Sequence, residues 1–304
     1  MLPAHLYATT RMKCEAIYMH SSKFSVRKMC RTLGLCESSY YQWNRREEKR
    51  LERTRKEQEL IKKVKEVFED SNCTYGCRRV RAALKNEGLV LSEYKVRRIM
   101  RENGFYPVST RKFRPGRKGK PDGRFYENEL SQDFRSDKMN EKWVGDITYI
   151  KTCMGWVYLA VVMDLYNREI IGYAVSKSMG TELTCRALRD AIKRNGGPGE
   201  LLIFHSDRGC QYSSRSFQSL LEENNIRGSM SKSGCPYDNS AMESFFASLK
   251  KEYFSRREYA TIEAVEKDLY YYIEIFYNRK RLHSTLGYMS PVAYRIKNAG
   301  KKSA

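Results

Sequence analysis

The segment Leu201–Glu252 opens with LLIFHSDRGCQYSS and closes with NSAMESFFASLKKE, and these two ends decide how the chain is read. LLIFHSD is an apolar run ending on Asp207, the pattern of a buried strand. NSAMESFFASLKKE reads as a helix that carries Glu243, with Lys250 seven residues further on. That spacing puts both on one face, about 10 Å apart along the axis. Phe245 and Leu249 fall on the adjacent stripe, which should face the core. Between Asp207 and Glu243 lie 35 residues. A third carboxylate, Asp146, stands in the middle of KWVGDITYIKT, another strand-like run.

Around these ends the strand signals cluster. KWVGDITYIK, WVYLAVVMDLY and EIIGYAVSK are separated by short turns at Met154-Gly155 and Asn167-Arg168. Three such runs form an antiparallel meander. TELTCRALRDAIKRN follows as a helix with Thr181 as its cap. LLIFHSD is too apolar for an edge strand and belongs in the middle of the sheet. SSRSFQSLLEENN is a helix and IRGSMS a short fifth strand. The expected fold class is α/β, a mixed sheet with helices on both faces.

Two aspartates on strands and a glutamate on a helix can converge only if the chain folds back. Carboxylates at close range repel, and they stay ionised together when a cation neutralises them. Oxygen-only ligation selects Mg²⁺ or Mn²⁺, with a substrate phosphate completing the shell. Two such ions about 4 Å apart would clamp an in-line phosphoryl displacement. Two further carboxylates compete. Asp238 precedes Asn239 in a loop-like segment and reads as a helix N-cap. Asp164, on the second strand, stays as an alternative. Spacing alone leaves each carboxylate open to a plainer reading as a surface charge or a cap.

The first half of the chain reads as helical and basic. SVRKMCRTLGLCESSYYQWNRR places Val26, Met29, Cys30 and Leu33 on one helix face. Ser25 is its expected cap, Gly34 its breaker, and Ser38 or Ser39 the cap of the next helix, a helix-turn-helix pattern. Residues 44–56 are almost all charged and read as a solvated helix or linker. Helices are then expected over EQELIKKVKEVFED, YGCRRVRAALKNEG and SEYKVRRIMRENG, the last partly burying Tyr94, Val96, Ile99 and Met100. Arg78, Arg79, Arg97 and Arg98 on the last two are candidate DNA contacts. Residues 108–124 hold seven basic residues, Arg111, Lys112, Arg114, Arg117 and Lys118 among them, with two Pro and three Gly. Such a segment suits an extended basic linker along a phosphate backbone.

Composition points the same way. Of 304 residues, 57 are Lys or Arg and 36 Asp or Glu, a net charge of +21. Residues 1–141 carry 33 basic and 19 acidic residues, so the first half holds +14 of that excess. A polyanion, double-stranded DNA above all, is the expected partner. Nine scattered cysteines read as reduced thiols rather than a disulfide framework. No run approaches the ~18 apolar residues of a membrane span.

WVGDITYI, HSDRGCQYSS, DNSAMESFFASLKKE and the later YNRKRLHSTLGYMSP occur in that order. Together they resemble the downstream-frame, OrfB-type transposases of bacterial insertion sequences, whose catalytic domain is like that of retroviral integrases. The resemblance runs from about residue 25 to about residue 295. It implies a ribonuclease-H-like catalytic domain over 140–295 and an Asp-Asp-Glu metal triad of Asp146, Asp207 and Glu243 with two Mg²⁺ (or Mn²⁺) ions. It also implies that Lys250 contacts DNA. Two helical DNA-binding regions over 1–50 and 51–107, a linker over 108–139 and a tail over 296–304 complete the expected organisation.

Arg208 is a further candidate DNA contact beside Asp207. His205, Asn239, Asn278, Arg281 and His283 are the other polar groups of these motifs. His283 could be a base, but a structural or DNA-contact role suits a metal-triad enzyme better. The expected activity is hydrolysis and then transesterification at the ends of an insertion sequence, joining them to target DNA. A homo-oligomer on DNA, an upstream-frame partner protein and a nucleoid-associated cytoplasmic location complete the expectation. A purely hydrolytic nuclease and a non-catalytic DNA-binding regulator are the rivals.

Overall fold

The computed structural model describes residues 9–108, 125–195, 197, 201–232 and 236–299. Five strands form one sheet: β1 (Lys142–Thr152), β2 (Gly155–Asp164), β3 (Ile170–Ser176), β4 (Ile203–Ser206) and β5 (Arg227–Met230). Their order is β3-β2-β1-β4-β5. The meander β1–β2–β3 is antiparallel, and β4 and β5 add on in parallel. Gly155 turns the first hairpin at φ 120° and Arg168 the second at φ 61°. As expected of its apolar run, β4 is an interior strand.

Both faces of the sheet are covered. Leu159, Val161 and Met163 point to one core, and Ala160 and Val162 to the other. This double burial explains the unbroken apolar run of β2. One face receives α6 (Thr181–Arg194) and α7 (Arg215–Glu223) through Leu183, Leu188 and Phe217. The other receives α8 (Ser240–Glu252) and α9 (Ile262–Tyr270), which runs on as a π-helical turn, Tyr271–Tyr277. Met242, Phe245 and Leu249 of α8 are essentially fully buried against β1 and β2. Each contributes about 1.5–3 kcal/mol, which fixes the helix that carries Glu243.

Five helices come first: α1 (Thr10–His20), α2 (Val26–Leu33), α3 (Glu37–Asp70), α4 (Cys77–Asn86) and α5 (Glu93–Glu102). Cys14, Ile17, Cys30 and Tyr40 join α1 and α2 to the start of α3. Val64, Phe68, Val80, Leu84, Val96 and Ile99 join the end of α3 to α4 and α5. The charged run 44–56 is the solvated middle of α3, so the boundary expected at residue 50 falls inside one 34-residue helix. Pairs such as Lys56–Glu52 and Arg55–Glu59 support that stretch. The α4–α5 unit docks on the C-terminal motif. The Tyr75 hydroxyl accepts from Leu282 N at 2.8 Å, and Arg256 donates to Asn72 O at 3.0 Å.

Four local expectations are corrected. Cys36, not Ser38 or Ser39, holds the N-cap position of α3. Gly180, not Thr181, precedes α6, and Thr181 is its first residue. Tyr94 is 77% exposed, because Val96, Ile99 and Met100 set the buried stripe and Tyr94 falls off it. Asp238 does not cap α8; Asn239 holds that position. The Asp238 carboxylate instead accepts from Asn128, Gln132 and the Lys232 backbone N–H, each at 2.9 Å. Burial pushes its carboxyl up, but the hydrogen bonds from Gln132 and the Lys232 backbone outweigh it and hold the carboxyl below the usual range.

Candidate active site

Alternation along β1 and β4 aims the two aspartates. Val144 belongs to the core under α8 and pairs with His205 across the parallel ladder. Asp146 is two residues beyond Val144, and Asp207 two beyond His205, just past the end of β4. Period-two alternation therefore brings both to the α8 side of the sheet. The buried Tyr212 phenol registers both: burial first, then the charges of Asp146 and Asp207, push it well above its ordinary pKa. Asp146 Oδ1 accepts from Ile147 N at 2.7 Å, and Asp207 Oδ1 from Gly209 N at 2.9 Å. A Cβ on Gly209 would lie 2.9 Å from Asp207 Oδ1, so only glycine allows this turn without displacing the carboxylate. Gly145 has a similar reason: its missing side chain leaves room for the Phe204 ring.

Glu243 lies exposed in the first turn of α8, where the helix dipole favours its charge. Among the described residues no three His, Cys, Asp or Glu side chains stand close enough to form a ready-made metal cluster. Lys250, on the same stripe, lies with Nζ 4.4 Å from the Tyr149 ring centroid. Burial draws its pKa down and the charge of Asp146 pulls it back up, so this ammonium sits near Asp146.

The alternative carboxylate, Asp164, is on the other face. It pairs with Trp143, out of phase with Asp146, and is fully buried. It accepts from Asn140 N and Tyr166 N at 2.8 Å each, which makes it a tie for the chain entering β1.

The other singled-out residues take varied positions. Arg208 donates to Ser231 O at 2.9 Å and lies over the Phe125 ring. His205 is buried between Ser229 and Ser231, at 2.9 and 3.1 Å, and burial lowers it to about 4. Asn239 donates to Gly145 O at 3.4 Å, beside Asp146. Asn278 exchanges two 2.9 Å hydrogen bonds with the Ile170 backbone, as a neighbouring strand would. Arg281 and His283 are buried. Arg79 is 3.7 Å from Glu252, at the junction of α4 with α8. Arg78 and Arg97 are largely exposed and share Glu93, while Arg98 pairs with Glu57. Arg111, Lys112, Arg114, Arg117 and Lys118 lie outside the described residues.

Sequence reasoning missed Tyr212, Tyr149, Arg168 and Glu252. Tyr212 is inside a quoted motif, but only the fold turns it toward both aspartates. Glu252 meets Arg281 from 29 positions away, a separation that carries no periodic signal.

Family models match in three places. An integrase core domain matches residues 136–236 and again 243–298, and an HTH-like domain matches 55–113. The transposase InsF for insertion sequence IS3A of Escherichia coli (strain K12) is 38% identical over 287 residues, covering 94% of this chain and 99% of the relative. The chain belongs to the IS3 family of transposases. A 31 kDa protein of insertion element IS600 from Shigella sonnei is 36% identical to the transposase, over 88% of this chain and 98% of that one. Among solved structures, a simian T-cell lymphotropic virus intasome matches with a TM-score of 0.45 and 19% identity, over 76% of this chain and 73% of that one. The catalytic core of HTLV-2 integrase in complex with magnesium matches at 0.39 and 19%, over 51% and 95%.

The transposase is therefore a polynucleotidyl transferase with a ribonuclease-H-like integrase core. It acts on DNA, and integrase core domains work with divalent metal ions. Among the described residues, no helix is long and apolar enough to cross a membrane.

Proposed function

We propose that Asp146, Asp207 and Glu243 are the metal-holding residues of this transposase, and that they take two Mg²⁺ ions, with Mn²⁺ as a substitute. The observation that carries this reading is the β1–β4 register, which with period-two alternation puts Asp146 and Asp207 on the face of the sheet covered by α8, the helix that carries Glu243; the Tyr212 phenol feels the charge of both. The donor set fits a hard divalent cation, because every atom offered is a carboxylate oxygen. Such ions supply charge neutralisation at the reacting phosphate and lower the pKa of bound water.

The chain's own residues do the rest. The Gly209 turn holds the Asp207 carboxylate, and the Ile147 N–H holds that of Asp146. Exposed Glu243 is free to swing toward them from the first turn of α8. Lys250, beside Asp146, takes a phosphate of the element end and keeps the scissile bond over the carboxylates. Hydrolysis there frees a 3′-OH, and that 3′-OH then attacks a second phosphodiester. The free end is first joined to the other end of the element, giving a circular intermediate, and then to target DNA. Protomers pair on the inverted repeats, and an upstream-frame protein of the same element joins the complex.

The test is strand transfer by Asp207→Asn with Mg²⁺. Joining should be abolished while binding to the element ends is kept. Retained joining would falsify the assignment, and cleavage without joined product in the wild type would favour a plain nuclease.

A further inference from the structure

On the other flank of α8 lies a polar cavity of about 280 Å³. Ser244 follows Glu243 by one residue, about 100° round the helix, so this flank is turned away from the Glu243–Lys250 stripe. Three guanidinium groups line the cavity from three distant parts of the chain. Arg79 comes from α4, Arg168 from the β2–β3 turn and Arg281 from the C-terminal motif. None of its lining residues is acidic. Glu252, behind it, neutralises one charge by pairing with Arg281 at 2.6 Å and Arg79 at 3.7 Å. An excess of two positive charges remains. Burial lowers the Arg168 pKa, so keeping that charge costs free energy until an anion arrives.

The polar lining completes the match. Ser240, Ser244 and Ser248 recur every four residues along one stripe of α8 and face the cavity. Ser284 and Thr285 form an exposed rim. His283 is 9% exposed, and its Nε2 has no hydrogen-bond partner among the described residues. Guanidinium forks and hydroxyl donors on several sides suit a group with several acceptor oxygens.

We propose that this cavity is a phosphate-binding pocket, distinct from the carboxylate site, and that its occupant is a backbone phosphate of bound DNA. Only the choice of DNA as the phosphate's carrier rests on the function proposed above. A phosphate held there touches α4, the β2–β3 turn and α8 at once. It would clamp the HTH-like helices to the catalytic core when DNA is bound.

The test has two arms. The chain has four histidines, so the ring signals of His283 can be followed by NMR with labelled histidine. Titration with inorganic phosphate, at ionic strength matched with chloride, should move the His283 signals in the wild type and in Asp207→Asn. Arg168→Gln should weaken that response at least tenfold. Arg227→Gln, on an exposed arginine of β5, should leave it intact. If Arg168→Gln does not fold, Arg168→Lys serves, with a weaker loss expected. An unmoved His283, or an unchanged response in a folded Arg168 variant, overturns the pocket.

The second arm measures binding of an element-end duplex against salt concentration. Loss of one phosphate contact should lower the slope of log K against log[salt] by about one in Arg168→Gln. A slope equal to wild type, with phosphate binding intact, overturns DNA as the source and leaves a free phosphate as the occupant. Because Asp207→Asn should pass the phosphate arm, failure of the triad is separable from failure of the pocket.

Discussion

Arg281 donates to both oxygens of the Glu252 carboxylate, at 2.8 and 2.6 Å, and the pair is buried. This ion pair ties the C-terminal motif to the last turn of α8, whose first turn carries Glu243. Tyr272 OH donates to the same carboxylate at 3.1 Å, and Arg281 also reaches Ser248 at 3.0 Å. The dense polar motif after the π-helical turn thus acts on the site through the placement of α8.

Removing one partner of a buried pair leaves the other charge stranded. Arg281→Met should destabilise the fold by about 3 kcal/mol, at the low end of what a broken buried pair costs because Arg79 still faces Glu252. Urea unfolding followed by circular dichroism checks this. A loss under about 1 kcal/mol would show that the pair is not a structural tie.

Asp164 gives a pH signature. Burial holds its carboxyl up at about 6, against opposing hydrogen bonds from the Asn140 and Tyr166 backbone. A raised pKa means that the folded chain keeps a proton which the unfolded chain has released. Its contribution is fully present below about pH 4 and is lost as the pH rises through about 6. Asp164→Asn cannot ionise. Relative to wild type it should gain about 2–3 kcal/mol of stability between pH 4 and pH 7. A wild-type-to-variant difference that stays flat across that window contradicts the burial account.

Gly209→Ala probes the aspartate turn. Its new Cβ would crowd Asp207 Oδ1 at 2.9 Å, so the carboxylate must shift while the sheet stays intact. Strand transfer should fall at least tenfold, with thermal stability within about 1 kcal/mol of wild type. Unchanged joining would mean that the position of Asp207 does not matter to the chemistry.

Much of the fold was legible in the sequence. The strands announce themselves by apolar runs, and β2 and β4 by runs too apolar for one-sided burial. The two aspartates could each be placed on a strand because their motifs end or interrupt such runs; that β1 and β4 are neighbours came only from the fold. Local chemistry that depends on hydrogen bonds to residues far away in sequence was not legible: Asp238 resembles a cap but serves as an anchor for residues 128–132. Nor was the joining of charged residues far apart in sequence, as in Arg281–Glu252 or the three arginines behind α8. The single long α3 was hidden because its solvated middle has no apolar stripe.

The central claim is that three carboxylates from three elements act as one metal site. Groups that act as a unit are strongly non-additive. Strand transfer with Mg²⁺ should therefore be measured for Asp146→Asn, Asp207→Asn, Glu243→Gln and the triple variant. Each single change should lower joining as far as the triple does, with element-end binding preserved. A Glu243→Gln enzyme that joins DNA within about tenfold of wild type would contradict the claim.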